Sequence, residues 1–284
     1  MKKVSVKNRF THLIITRFNL LEGPRFDKNG NPVQTEQWLK KRFELFEQFY
    51  LPSLASQTCN NFKAIVLFDQ GTSEDYKQII NTFTQKYTFF KPYYVKDSEY
   101  HLGKISQEYL ELGAEYLLTT RLDNDDGLGR DAVAEIQKCF VPEHGLGINL
   151  YRGYRYLMQP HGCLLLRNSF INGPFISFIE DLQKGCPQTA YIYNHDEFFE
   201  KSKLIQIRSA YHWLQTIHES NLANTPSGCP VWGLQHLPEF AIDHKNIEYS
   251  KELFFVYLFR YIFNVKNYIP FKLKIAILKI LGRR

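Results

Sequence analysis

Short apolar runs alternate with amphipathic stretches along most of this chain. His12-Leu-Ile-Ile-Thr16, Phe62-Lys-Ala-Ile-Val-Leu-Phe68 and Tyr116-Leu-Leu-Thr-Thr-Arg121 are compact and apolar, and too brief for helices. They predict buried strands. Between the first two, Leu39, Phe43, Phe46 and Tyr50 recur at spacings of four, three and four, one face of a helix that Pro52 is expected to end. Glu74 to Thr84 predicts a second helix, and Ser106 to Leu112 a short third. Thr88 to Val95 predicts a strand near a sheet edge, because Pro92 donates no hydrogen bond. Such alternation implies an α/β fold, a mostly parallel sheet flanked by helices on both faces.

Further along, Asp131 to Phe140 reads as a helix, and Gly145 to Leu157 and Cys163 to Arg167 as strands. Pro174 to Gln183 reads as helical. Ala190 to Tyr193 reads as a short strand leading into a helix with Phe198 and Phe199, and Leu204 to Ile207 as a further strand. No repeat or linker breaks the chain before about residue 250. Residues 1–250 therefore form one body and 251–284 a separate tail. In the tail, Leu253 to Phe263 is apolar around most of its circumference. After Pro270, Lys272, Lys279 and Arg283 share a helical face against Leu273, Ile277, Leu278 and Leu281.

Charge sharpens that division. The net charge is +6, but the tail holds eight basic residues against Glu252 alone, so the body is close to neutral. Nucleic-acid binding by the body is disfavoured, since a basic face is its footprint. A basic amphipathic helix suits an anionic membrane surface; packing on the body or on a second subunit of a homodimer is the alternative. The N-terminus is too polar for a signal peptide, and no stretch approaches the roughly 20 apolar residues of a spanning helix. The five cysteines show no Cys-x-x-Cys spacing and fit a reduced compartment. These features predict a cytoplasmic protein held peripherally at the inner face of the cell membrane.

Candidate chemistry gathers at strand ends. In doubly wound sheets ligands collect beyond the carboxyl ends of the strands. Three such ends carry Arg17 and Asn19, Asp69 and Thr72, and Asp123-Asn-Asp125-Asp126. An Asp-x-Asp pair offers hard oxygen ligands suited to Mg²⁺ or Mn²⁺, which keep open positions for phosphates. The plainer reading is a solvated acidic loop, with Asp126 or Asp131 starting the next helix.

Taken together, these residues resemble a glycosyltransferase with the GT-A fold, a Rossmann-like nucleotide-sugar-binding fold. The bacterial family named "putative rhamnosyltransferase" is the nearest. The resemblance rests on Thr16-Arg17-Phe18-Asn19, Val66-Leu-Phe-Asp69-Gln-Gly71-Thr72-Ser73, Thr119-Thr-Arg121-Leu-Asp123-Asn-Asp125-Asp126 and Trp213-Leu-Gln-Thr-Ile-His218. It covers roughly residues 10–225, and Gln70 departs from the Asp-Gly-Ser-Thr turn of the large inverting families. The resemblance implies that Thr16, Arg17, Asn19 and Asp69 contact the nucleotide, with Arg121 on a phosphate or on Asp69. It further implies that Asp123 and Asp125 hold Mn²⁺ or Mg²⁺ on the donor diphosphate. His218 would close over that diphosphate or complete the metal sphere.

The implied reaction is metal-dependent transfer of a sugar from a dTDP-, UDP- or GDP-linked donor to a glycan or lipid-linked glycan, in surface polysaccharide or lipopolysaccharide synthesis. Asp196 is the expected base of an inverting reaction, with Glu197 the near alternative. Two other readings remain: a sugar nucleotidyltransferase, and a non-catalytic, membrane-associated nucleotide-sugar-binding protein. The first normally has a Gly-rich basic loop after its first strand, which Arg17-Phe-Asn19-Leu-Leu-Glu22 does not supply.

Overall fold

The structure is a computed structural model; it describes residues 9–20, 26, 30, 32–96, 101–194, 197–219, 221 and 225–264. Strands β1 (Phe10–Arg17), β2 (Lys63–Asp69), β3 (Phe90–Val95) and β4 (Tyr116–Arg121) form the parallel half of a seven-stranded sheet. β1 lies between β2 and β4 and is buried on both faces, as its run of Leu13, Ile14 and Ile15 requires. β3 is the edge, with Pro92 opposite Val66.

The helices are α1 (Glu36–Leu45), α2 (Leu51–Ala55), α3 (Glu74–Lys86), α4 (Leu102–Gln107) and α5 (Ala132–Lys138). On one face of the sheet, Phe43, Phe46, Tyr50, Ile80, Phe83 and Ile136 pack against Ile14, Val66, Phe68 and Leu118. On the other, Ile105 of α4 packs with Leu13, Ile15, Ile65, Leu67 and Leu117.

Pro52 does not end the first helical run. A π-helical turn, Phe46–Tyr50, precedes it, and the run continues through α2 to Ala55. The widened turn ends one residue short of Pro52, which has no N–H to give and stands in the first turn of α2, where none is needed. The third helix also lies earlier than its sequence pattern indicates, at Leu102–Gln107. Gly103 presses against the carbonyl of Pro187 so closely that a Cβ has no room.

The remaining strands are β5 (Gly127–Leu128), β6 (Leu146–Leu150), β7 (Arg152–Gln159), β8 (Gly162–Ser169), β9 (Ile176–Asp181), β10 (Leu204–Ile207), β11 (Trp213–Ile217) and β12 (Cys229–Val231). The seven-stranded sheet runs β10-β6-β9-β4-β1-β2-β3, and a second sheet runs β12-β8-β7-β11-β5. The expected single strand 145–157 is two, and the chain changes sheets at Tyr151.

The helix expected over 174–183 is instead β9, antiparallel to both β4 and β6. Its Ile and Phe residues are buried on both sides of the sheet, and Ser177 is satisfied by the Thr120 hydroxyl at 2.6 Å. No strand forms at Ala190–Tyr193; the backbone turns there after Thr189, whose φ is 66°. The helix starting at Phe198 is a single turn, α6 (Phe198–Lys201).

The second sheet is covered on one face by Leu45, Phe49, Leu237 and Phe240, and on the other by α7 (Lys251–Asn264) through Leu253, Phe254 and Tyr257. The first part of the basic tail is thus packed on the body. The amphipathic stretch after Pro270 lies outside the described residues.

Candidate active site at the carboxyl rim of the sheet

β1, β2 and β4 run parallel, so Arg17, Asp69 and Arg121 come to one end of the sheet. Ile15 is opposite Arg121 and Leu67 is opposite Arg17 in the ladders. With a side-chain period of two, Arg17, Asp69 and Arg121 therefore share the face that carries Ile15 and Leu67. Both guanidinium groups lie over the ring of Tyr191, 4.7 Å (Arg17) and 4.8 Å (Arg121) from its centroid. Cation–π contacts of this kind favour a planar guanidinium over an ammonium.

Tyr191 is fixed from three directions. Its hydroxyl donates to the Ile15 carbonyl at 3.1 Å, its N–H donates to the Thr189 hydroxyl, and the neighbouring Ala190 N–H donates to the Thr119 hydroxyl at 2.8 Å. Burial pushes its phenol up in pKa, against the pull of Arg121 and Arg17; Asp123 adds a push in the same direction as burial. The two arginines and Tyr191 line an open cleft of about 410 Å³, with Leu102 and Gly103 of α4 and Tyr193 and Asn194 also on its walls.

Asn19 and Asp69 brace this rim. The Asn19 side chain accepts from the Asp69 N–H at 3.1 Å and donates to the Thr72 hydroxyl at 3.1 Å. Asp69 itself accepts from the Gly71 N–H at 2.7 Å, closing the turn after β2. Thr16 is not brought to the rim. Its hydroxyl is buried against the Tyr50 hydroxyl at 2.8 Å, because residues 15 and 17 take the other face.

The acidic cluster splits. Asp123 is exposed, whereas Asp125 and Asp126 are 5% and 1% exposed and turn inward. Oδ2 of Asp125 accepts from Arg42 Nη1 at 2.6 Å and lies 2.9 Å from His218 Nε2 and 3.4 Å from the Asn221 amide. Burial alone would raise the Asp125 pKa, but Arg42 and His218 bring it down to about 2.

Asp126 accepts from the Thr216 N–H at 2.7 Å through Oδ1, and its Oδ2 has no hydrogen-bond partner among the described residues. Burial and then Asp125 and Asp123 push its carboxyl well up, towards the neutral form. Thr216 also donates its hydroxyl to the Asp125 carbonyl at 2.9 Å, so β11 of the second sheet holds the acidic loop from below.

The inward oxygen of Asp125 is not open to the expected ion. Mg²⁺ and Mn²⁺ take bare oxygens at about 2.1 Å, and the inward oxygen of Asp125 already serves three donors. Asp123, Asp125 and His218 are not gathered about an open point, and the described residues contain no group of three or more His, Cys, Asp or Glu placed to hold a metal.

Asp196 lies outside the described residues. Glu197 is committed locally. Its carboxylate accepts from Lys201 Nζ at 2.9 Å and from the Asn194 N–H at 3.1 Å, contacts that hold its pKa below the usual range.

Sequence reasoning missed Arg42, Tyr191 and Asn221. For Arg42 a signal was present: it follows Leu39 by three and precedes Phe46 by four, so helical periodicity sets a charge on the core-facing stripe.

No curated protein matches the chain. Among solved structures, S. aureus TarS 1–349 aligns at 14% identity and a TM-score of 0.40, over 72% of this chain and 60% of that one. The same protein in complex with UDP-GlcNAc aligns at 15% identity and a TM-score of 0.42, over 92% of this chain and 76% of that one. The 4-diphosphocytidyl-2C-methyl-D-erythritol synthase of Anaerococcus prevotii aligns at 13% identity and a TM-score of 0.31, over 77% and 94%. Likenesses this distant carry no argument about the site. The sequence itself is more informative: the family model described as "Putative rhamnosyl transferase" matches residues 8–229, most of the chain, and the protein belongs to that family.

Proposed function

We propose that the protein is a glycosyltransferase that moves a sugar from a nucleoside-diphosphate donor to a hydroxyl of a glycan or lipid-linked glycan, in the synthesis of a surface polysaccharide or lipopolysaccharide. The observation that carries this reading is the pair of guanidinium groups lying over Tyr191 at the carboxyl rim of the parallel sheet. Ligands of such sheets gather at that rim, and arginine is the side chain best shaped for phosphate oxygens.

Glycosyl transfer separates an anomeric carbon from a diphosphate through an oxocarbenium-like transition state, and negative charge grows on the leaving group. Arg17 and Arg121 stand where that charge would be met. The cleft is large enough for part of a nucleotide sugar, and Asp69 with its Asn19 brace offers oxygens for the base or ribose. Asp196 is the proposed general base for the acceptor hydroxyl, since Glu197 is held by Lys201 and Asn194. The charge on the leaving diphosphate falls to Arg17 and Arg121, since the inward oxygen of Asp125 is already engaged by Arg42.

Peripheral attachment to an anionic membrane is part of the same proposal. Trp232 is 53% exposed and Phe255 44%, with their rings 6.3 Å apart, and Val256 and Tyr261 lie exposed on the same helix as Phe255. Aromatic side chains beside a basic segment are what an interface-binding element needs. Among the described residues no helix is long and apolar enough to cross a membrane.

Thermal unfolding in the presence of UDP, dTDP or GDP, each with and without Mn²⁺, tests the donor reading. A ligand at 100 times its Kd stabilises the folded state by about 2.7 kcal/mol, so one nucleotide should raise the midpoint by several degrees. If no nucleotide moves the midpoint under any condition, the protein has no donor site of this kind.

A further inference from the structure

The acidic loop and the arginine pair divide the charge at this rim in an unexpected way. Asp125, the carboxylate best placed by spacing to grip a cation, is instead neutralised internally by Arg42, with His218 and Asn221 completing its surroundings. A divalent ion bound at that oxygen would have to displace a guanidinium 2.6 Å away, with both side chains only 7% exposed. Arg42 comes from α1, whose neighbours Phe43 and Leu45 are in the core, and its guanidinium also lies over the Trp38 ring, 5.0 Å from the centroid. Its amide-bearing neighbour Asn124 holds it from a second side, Oδ1 accepting from Nη1 at 3.2 Å, while Asn124 itself donates to the Phe18 carbonyl at 2.9 Å.

Positive charge is available elsewhere at the rim, and part of it is unused. Arg121 Nε is buried and has no hydrogen-bond partner, and Arg121 makes no ion pair among the described residues. A donor in that position is open to an acceptor supplied from outside. The guanidinium lines the same cleft as Arg17, and both groups lie over the Tyr191 ring. A diphosphate has acceptor oxygens on two adjacent phosphorus atoms, which suits two guanidinium forks held on one ring.

We propose that arginines take the place of the divalent cation in this protein: Arg42 is the permanent counter-charge of Asp125, and Arg121 with Arg17 holds the donor's diphosphate without a metal. Tyr191 is the positioning residue that keeps the two forks on the cleft wall. The inference rests on the nucleotide-sugar reading and adds to it the means by which the diphosphate is held.

Titration calorimetry of the full chain with UDP, dTDP and GDP, in EDTA and then in Mn²⁺, decides the matter. For the nucleotide that binds, the expected Kd is the same in EDTA and Mn²⁺ within about twofold. Arg121→Gln should weaken binding by about tenfold or more while lowering the thermal midpoint by only a few degrees, since the contact the fold loses is the one on Tyr191 and no hydrogen bond or ion pair goes with it. Arg121→Lys keeps the charge but not the fork and should recover only part of the affinity. Binding that needs Mn²⁺, or that survives Arg121→Gln unchanged, overturns the inference while leaving the donor site in place. Absence of binding by all three nucleotides in both buffers removes the donor reading and this inference with it.

Discussion

Arg42 of α1 and Asp125 of the acidic loop face each other at 2.6 Å with both side chains buried, a link between residues 83 apart in sequence. Removing one partner of such a pair leaves a charge in a place with little water. Arg42→Ala should therefore destabilise the fold by about 3–5 kcal/mol in urea unfolding. The loss of packing on Trp38, whose ring lies 5.0 Å from the guanidinium, adds to it. A change below about 1 kcal/mol, the level of an exposed ion pair, would mean that the pair is not sealed from solvent.

Gly153 of β7 lies opposite Trp213 of β11, and a Cβ at Gly153 would run into the indole ring. Trp213 is fully buried, and its indole N–H donates to the Leu150 carbonyl at 2.9 Å, so the ring has no easy retreat. Gly153→Ala should cost about 1–3 kcal/mol or more, the range of overpacked cores. Near-UV circular dichroism would report the disturbed tryptophan, and an unchanged spectrum with unchanged stability would refute the contact.

His12 gives the fold a pH dependence away from the site. It is buried in β1 between Thr120, 2.8 Å from Nε2, and Gln137, 3.1 Å from Nδ1, and burial lowers its pKa to about 3. Between the unfolded value of about 6.5 and that folded value, the unfolded chain binds a proton that the folded chain refuses. Stability is thus full above pH 6.5 and falls as the pH drops through this window, by up to about 1.4 kcal/mol per pH unit. His12→Gln should flatten the curve between pH 6 and pH 4 (roughly that window), measured as urea midpoints. Parallel curves for the two proteins would show that residue 12 is charged in the fold.

Membrane attachment makes a separable prediction. Trp232 packs edge-on against Phe254 at 5.0 Å and leaves much of its ring in solvent, so Trp232→Ser with Phe255→Ser should lower partitioning onto anionic liposomes without unfolding α7. Deleting residues 265–284 should lower it further and remove most of its salt dependence, since the deleted segment carries six of the tail's basic residues. Equal flotation of all three proteins would dispose of the membrane role.

Much of the parallel half of the main sheet is legible in the sequence, because buried strands such as Leu13-Ile-Ile15 and Ala64-Ile-Val-Leu-Phe68 carry their own signal and the edge is marked by Pro92. The three loops at its rim follow from topology alone. β9 is not legible in the same way: Pro174-Phe-Ile-Ser-Phe-Ile reads as readily as a buried helix, and only its place between β4 and β6 decides. The split at Tyr151 is hidden likewise, since a chain that leaves one sheet for another keeps its apolar character throughout.

At the site, Arg17, Asp69 and Arg121 stand where the strand ends put them, but the direction of each side chain depends on facing and partners. Thr16 is one residue from Arg17 and points the opposite way, as strand alternation requires. The inward turn of Asp125 depends on an arginine 83 residues earlier, and on Asn221, which spacing within the acidic motif cannot reveal.

Thr216 grips the aspartate loop by both its N–H and its hydroxyl, while that loop leaves β4 of one sheet and enters β5 of the other. The two sheets are consequently riveted beneath the rim, and again where the Trp213 indole of β11 reaches the Leu150 carbonyl of β6. Sliding one past the other would tear out two short hydrogen bonds and expose a sealed ion pair together. Freedom to move at this rim is therefore left to the loops above the joint, and the floor beneath them is tied to both sheets.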